Sequence, residues 1–488
     1  MKSTNPALLP SVPRPIEARA PEDDFSSVLA DFVCGPSLDR LPAPVIAAAK
    51  ENIFDTLTCA VAGSSAPAVG DLRELALEWG GAPQASIFVF GDKVPAHHAA
   101  WVNGAMAHAR DYDDTHDAAV LHAGVSVVPA ALAAVQLGGG ASGAELIAGV
   151  AAGLETISRL GIATRVGIIE SGFMYTPLFG HFAATIAAAR ILRLDRAGVV
   201  NALGIAYSQV AGNHQVTRDA ALTKRIQPGF AAMSAILSVQ LAQRGIRGAQ
   251  ATFEGVDGFF RVYLRNQYDA EVLRDGIGER FEFTELSYKP YPCCRFNHNG
   301  IEAALDLRKT IQDRLPEIRR IRVGLNRQAY QAVCTPIEIR RSPQTIVQAQ
   351  FSIPYTVAAA LVDGHVGLKH FADGLQSRQD IISLAQKVEP YVDEEIEKAY
   401  SRNVSPVAIE VELEDGSMLS RRVDVPLGHP QRRMSDADFE AKAIDCFNIS
   451  ARPLHEGAHI SLRHMVNQLE SLDDARALLE VFCSSPPQ

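Results

Sequence analysis

Paired cysteines of the metal-binding or disulfide type are missing from this chain. Its seven cysteines, at 34, 59, 293, 294, 334, 446 and 483, are odd in number and contain no C-x-x-C pair. That excludes a zinc ribbon and a disulfide framework, and fits a reducing cytoplasm. An excess of basic charge is missing too: 46 Lys and Arg stand against 56 Asp and Glu, a formal net charge of -10. Neither nucleic acid nor an anionic membrane is therefore expected as a partner, because both need a basic face. The opening "MKSTNPALLPSVPRPIEARAPEDD" lacks the apolar core of a signal peptide, and its prolines read as a loose arm over 1–24. Between Ala118 and Ala144 the only ionisable side chain is His122. Pro129, Gln136 and the glycines from 138 divide that run, so it reads as packed helices rather than a membrane span.

What is present is ample core material. In 488 residues, 47% are hydrophobic and 21% charged, a globular balance with room for two or more domains. Residues 25–275 read as successive helices, many alanine-rich almost all round, such as "GHFAATIAAARIL" and "GFAAMSAILSVQLAQRG". Small side chains let helix axes approach closely, so a compact helical domain is expected. A strand "SIFVFG" is expected near 86–91. After about residue 275 the period changes. "IRRIRVGLN" (318–326), "VAIEVEL" (407–413) and "SRRVDVPL" (420–427) alternate apolar and polar residues, with a hairpin turn at Asp415-Gly416. With helices at about 299–312, 354–363 and 378–388, residues 276–432 read as a smaller α+β domain. The tail, 433–488, reads as helices that pack back on the first domain. The fold class is thus mainly α with an α+β part.

Chemistry-bearing residues cluster in a few polar islands. "GGGASG" (138–143) has the spacing of a dinucleotide fingerprint but lies between two helices, with no strand before it, so it is a turn. Cys293-Cys294 reads as a packed turn rather than a redox pair. "DYDDTHDAAVLH" (111–122) holds metal-ligand residue types, yet matches neither H-E-x-x-H nor an EF-hand loop, and no metal is expected there. Asp113 and Asp114 are expected to cap neighbouring helices. "TKRIQPG" (223–229) and "YKPYPCCRFNH" (288–298) set Lys224 and Lys289 in apolar surroundings. There a lysine either holds a carboxylate, works with a shifted pKa, or is merely solvated.

Together these islands resemble the MmgE/PrpD family of dehydratases, decarboxylases and epimerases that act on carboxylic acids. The landmarks, in order, are "VNGAMAHARDYDDTH", "LHAG", "GFMYTPLFGHFAATIAAARIL", "LTKRIQPGFAAMSAILSVQLAQRG", "FEGVDGFFRVY", "LSYKPYPCCRFNHNGIEAAL" and "QAQFSIPYTVAAALVDG". The resemblance implies a helical domain built from both chain ends, an inserted α+β lid domain, a homodimer, and an active site between the domains that needs no cofactor. It places functional residues at Asp111, Thr115, His122, Lys224, Lys289 and Tyr355. Family members commonly carry "GFHPT" and "KRLHPGRAA", where this chain has Met174 and Tyr175, and Gln227 and Phe230. If those positions face the pocket, a proton carrier and a cation are lost. A smaller, less charged or partly aromatic acid then becomes the expected substrate.

Reactions of this kind build charge on a carbon next to a carboxylate. Cations stabilise it, and a group of near-neutral pKa moves the proton. Lys224 and Lys289, helped by Arg295, are expected to hold the carboxylate. His122, oriented by Asp111, is expected to move the proton, Tyr355 to donate one, and Thr115 to position the substrate. His116 and His298 stand open between binding and structural roles. A lyase acting on a small carboxylic acid is the leading expectation, an epimerase or isomerase the alternative, and a non-catalytic binder a third.

Overall fold

The computed structural model describes residues 19–372, 374, 377–400, 404 and 406–483; most of the arm expected over 1–24 lies outside them. The first half is helical, with α1 (Phe25–Cys34), α2 (Ala43–Gly63), α3 (Val69–Trp79), α4 (Ala96–His108), α5 (Gly124–Leu137), α6 (Gly143–Ala163), α7 (Tyr175–Ile191), α8 (Arg196–Tyr207) and α9 (Thr223–Gln243). The "GGGASG" segment is the expected turn: α5 ends before it, and Ser142 with Glu145 forms a capping box that starts α6. Of the described helices, α6 alone is long and apolar enough to cross a membrane, and it lies almost wholly inside the protein.

Alanine and glycine content sets how close these helices come. A Cβ on Gly63 of α2 would sit 1.8 Å from the Met106 carbonyl oxygen of α4, and one on Gly229 of α9 would sit 2.3 Å from the Trp101 carbonyl oxygen. α4 is thus clamped between two helices at backbone contact. Its last residue, His108, and the second residue of α9, Lys224, meet as a result.

In place of a strand over 86–91 there is a two-residue pair, β1 (Ala85–Ser86) with β2 (Lys93–Val94). The chain turns between them, with Val89 at φ +67°. The second half holds a four-stranded sheet in the order β4-β3-β5-β6, formed by β3 (Ile318–Leu325), β4 (Val388–Val392), β5 (Val407–Leu413) and β6 (Met418–Val423). β3 is parallel to β4 and antiparallel to β5. The Asp415-Gly416 turn forms as expected, with Gly416 at φ +83°, but β6 stops at Val423, short of Pro426. Helices α10 (His298–Ile311), α11 (Arg327–Val333), α12 (Ile353–Asp363) and α13 (Gln379–Ala385) complete this half.

Two main hydrophobic cores result. One gathers residues between Phe25 and Tyr288 together with Met434–Phe482, and the other runs from Cys293 to Val423. The tail returns to the first core as α14 (Asp436–Phe447) and α15 (Ala458–Asn467), both packed on α2. α14 brings a buried lysine with it: Lys442 Nζ lies 2.5 Å from Asp55 Oδ1 on α2 and donates to the Tyr112 carbonyl at 2.7 Å.

Gly229→Ala should cost about 1–3 kcal/mol, because an added methyl cannot fit against the α4 backbone. Thermal unfolding of the purified variant checks this as a lowered midpoint.

Candidate active site

The site is built on the segment between α4 and α5. Asp111 leaves α4 with φ +54°, a left-handed turn that aims its carboxylate back under the helix end. It is buried there between two ammonium groups. Lys224 Nζ lies 2.7 Å from Oδ1, and Lys289 Nζ lies 3.3 Å from Oδ2 and 2.8 Å from the Asp111 carbonyl oxygen. Lys289 is delivered by a short bridge in which Thr115 and Ser287 exchange backbone hydrogen bonds of 2.8 and 2.7 Å.

The two neighbouring aspartates have separate tasks. Asp114 accepts from the N–H groups of Ala123 and Gly124 at 2.8 and 2.9 Å, which caps α5 as expected. Asp113 caps nothing. Its Oδ2 lies 2.9 Å from His108 Nδ1 and 2.8 Å from His122 Nδ1. Lys224 also reaches His108 Nε2, at 3.1 Å. A continuous chain therefore runs Asp111, Lys224, His108, Asp113, His122, and the other ring nitrogen of His122, Nε2, is left for the cavity.

Burial alone would raise the Asp111 carboxyl, but Lys224 and Lys289 outweigh it and hold it well below the usual range. Asp113 is likewise buried and held down by His122 and His108. Burial, reinforced by the Lys224 charge, pushes His108 down to about 4, so it is neutral at neutral pH. Lys289 is raised: burial works against its charge, and Asp111 and Asp113 prevail.

A cavity of about 90 Å³ opens beside this chain and lies between the two cores. Its wall includes Asp111, Thr115, His116, His122, Met174, Lys224, Lys289 and Arg295, which brings together most of the residues expected from sequence. Five others fall elsewhere. Tyr355 is buried in the second core and donates its hydroxyl proton to the His370 carbonyl at 2.7 Å, so it is not at the cavity. His298 lies behind Arg295, with Nδ1 3.3 Å from its guanidinium. Tyr175 turns away and donates to the Val166 carbonyl. Gln227 accepts from the Asn213 N–H, and Phe230 stacks on Trp101 at the surface. Of the departures noted in sequence, only Met174 reaches the cavity. Orientation of His122 falls to Asp113, not Asp111, whose oxygens are taken by the lysines. The Thr115 hydroxyl donates to Asp117 at 2.9 Å, and Asp117 in turn grips Arg295 at 3.1 to 3.2 Å.

Sequence reasoning passed over His108, Asp117, His214, Cys294 and Phe351. The last four line the cavity, and the Lys224 ammonium lies 5.1 Å from the centre of the Phe351 ring. Burial pushes the Cys294 thiol up to about 11, so it stays protonated.

Comparison with known proteins places this geometry. The MmgE/PrpD N-terminal domain profile matches residues 27–271 and the C-terminal domain profile residues 291–460. The chain belongs to the MmgE/PrpD family. Among its relatives is a cis-aconitate decarboxylase of Aspergillus terreus, 28% identical, with 91% of this chain and 93% of the relative covered. The cis-aconitate decarboxylase of Homo sapiens is 25% identical over 96% of this chain and 95% of its own. A cis-aconitate decarboxylase-like protein of Aspergillus oryzae is 27% identical over 84% and 87%. These relatives support a lyase-type enzyme, a decarboxylase or dehydratase of the MmgE/PrpD class.

The buried His108 gives stability a pH dependence. Its folded value, about 4, lies below its ordinary 6.5, so between those values the unfolded chain binds the extra proton. Stability should therefore fall as pH drops from about 6.5 towards 4. Unfolding midpoints across that window should show a shallower slope for His108→Gln than for the unsubstituted protein.

Proposed function

We propose that this chain is a cofactor- and metal-independent lyase that dehydrates or decarboxylates a small carboxylic acid. The observation that carries the reading is the buried corner of Lys224, Lys289 and Asp111, placed beside a histidine whose far nitrogen is oriented by Asp113. The lysines hold the substrate carboxylate and stabilise charge that builds on the adjacent carbon, most strongly where water is scarce. His122 takes or returns the proton, with the Asp113 carboxylate 2.8 Å from its Nδ1. His108 passes the Lys224 charge to the far side of Asp113 and keeps that carboxylate ionised. Arg295, set by Asp117 and Thr115, closes the polar end, with His116 and Met174 in the wall. His108, Asp113 and His122 are also metal-ligand types, with ligand atoms within 4.8 Å of one another. His108 Nδ1 makes an N–H···O bond to Asp113 at 2.9 Å, and Lys224 already supplies positive charge beside the group, which favours protons over a cation.

The part built round the second core, Cys293 to Val423, acts in this reading as a lid, since Gln328, Ala332, Phe351 and Val404 come from it to the cavity wall. The protein works in the cytoplasm, in keeping with the free cysteines among the described residues, and as a homodimer. Trp79 and Phe230, both exposed, stack on either side of buried Trp101 and offer an apolar face for the second copy. Sedimentation velocity should report a dimer that Phe230→Glu dissociates.

His122→Ala and Lys224→Ala should each lower turnover by roughly 10²-fold or more with the fold intact. Near-normal rates in both would overturn the assignment. Incubation with dicarboxylic and hydroxy acids in deuterated water distinguishes the chemistries by mass. Loss of water or CO₂ supports the lyase, deuterium gained without mass loss indicates an epimerase, and no change across the panel indicates a binder.

A further inference from the structure

An ammonium group has three N–H donors. Lys224 spends two, on Asp111 Oδ1 and His108 Nε2, and Lys289 directs two at Asp111, to its carbonyl oxygen and Oδ2. Each lysine keeps one donor for a ligand. Arg295, the remaining Lys or Arg of the cavity among the described residues, is committed to Asp117, His298 and the Leu427 carbonyl. In the cavity wall these three cations face two carboxylates, Asp111 and Asp117, an excess of one positive charge that one ligand carboxylate balances; Asp113 lies behind, against His108 and His122. A second or third ligand carboxylate would be buried without a counter-charge, which is strongly unfavourable.

The rest of the wall is mostly hydrocarbon, with His116, Thr176, His214, Thr217 and Gln328 as further polar members. Val120 and Met174 come from the helical side, and Ala332, Phe351 and Val404 from the other core. The cavity, about 90 Å³, is small beside the 300–1,000 Å³ typical of ligand pockets.

We propose that the ligand is a compact monocarboxylic acid, with its carboxylate between Lys224 and Lys289 and an apolar group against Val120, Met174, Ala332, Phe351 and Val404. The chemistry of its turnover rests on the lyase reading above. Within that reading a 3-hydroxy acid suits the site. His122 takes the proton from Cα, and the C–H electron pair forms the Cα=Cβ bond. The Cβ–O bond breaks, and the departing hydroxide takes up the proton that His122 accepted and leaves as water, which returns His122 to its starting state. The carboxylate on the lysines persists throughout, whereas decarboxylation of a monoacid would discard it.

Isothermal titration calorimetry on the full chain with benzoate, tiglate and cis-aconitate tests the class. Benzoate and tiglate should bind about ten-fold or more tightly than cis-aconitate, as an unpaired buried carboxylate demands. Equal or tighter binding of cis-aconitate overturns the proposal. Ala332→Arg places a cation in the apolar wall and should narrow or invert the ratio; an unchanged ratio in the folded variant counts against that wall as the binding surface. Turnover is scored separately. If monocarboxylates bind preferentially but none loses water or CO₂, the lyase reading fails and the ligand class stands.

Discussion

A carboxylate with no access to bulk water needs compensation on the spot, and Asp111 obtains it from two lysines that arrive from distant parts of the chain. Lys224 comes from the start of α9 and Lys289 from the segment that joins the two cores. Removing either would leave a buried charge partly uncompensated, at a cost of several kcal/mol. The reverse holds too, since two buried ammonium groups without Asp111 would repel each other. This triad fixes the spacing of α4, α9 and the connection to the second core, and the cavity is what remains between them.

The small-residue helices make the triad possible. Where α2, α4 and α9 touch backbone to backbone, His108 and Lys224 come within hydrogen-bond distance, and the chain from Asp111 to His122 closes over a few ångströms. Bulkier crossings would set these axes farther apart, and the same side chains would then meet through water. Packing and chemistry are here one requirement: glycine at 63 and 229 serves the proton path as much as the core.

Much of this was legible in sequence. The 3.6-residue period of the first half and the alternation of "VAIEVEL" each follow from side chains that bury on one face. β4 was not, because "VEPYV" is only half buried and carries a proline. Within the site, the lysines stood out as charges in apolar runs. What failed was direction. Asp113 and Asp114 are identical residues side by side, and only the path of the chain decides which meets the N-terminus of α5 and which meets two histidines. Phe351 and Tyr355 are four residues apart, yet Phe351 reaches the cavity and the Tyr355 hydroxyl closes on a backbone carbonyl of the second core. His108 closes an apolar helix, ten residues after His98, a pattern that ordinarily means core.

Lys442 lies on α14, within the last tenth of the chain, yet it neutralises Asp55 and holds the carbonyl of Tyr112, the residue next to Asp111. Without α14, Asp55 would keep only the Cys59 thiol, 3.9 Å away, and the carbonyl of Tyr112 would lose its donor. A contact spanning 330 residues of sequence thus backs the turn that carries Asp111, and the shape of the cavity wall depends on the return of the tail as much as on its own residues.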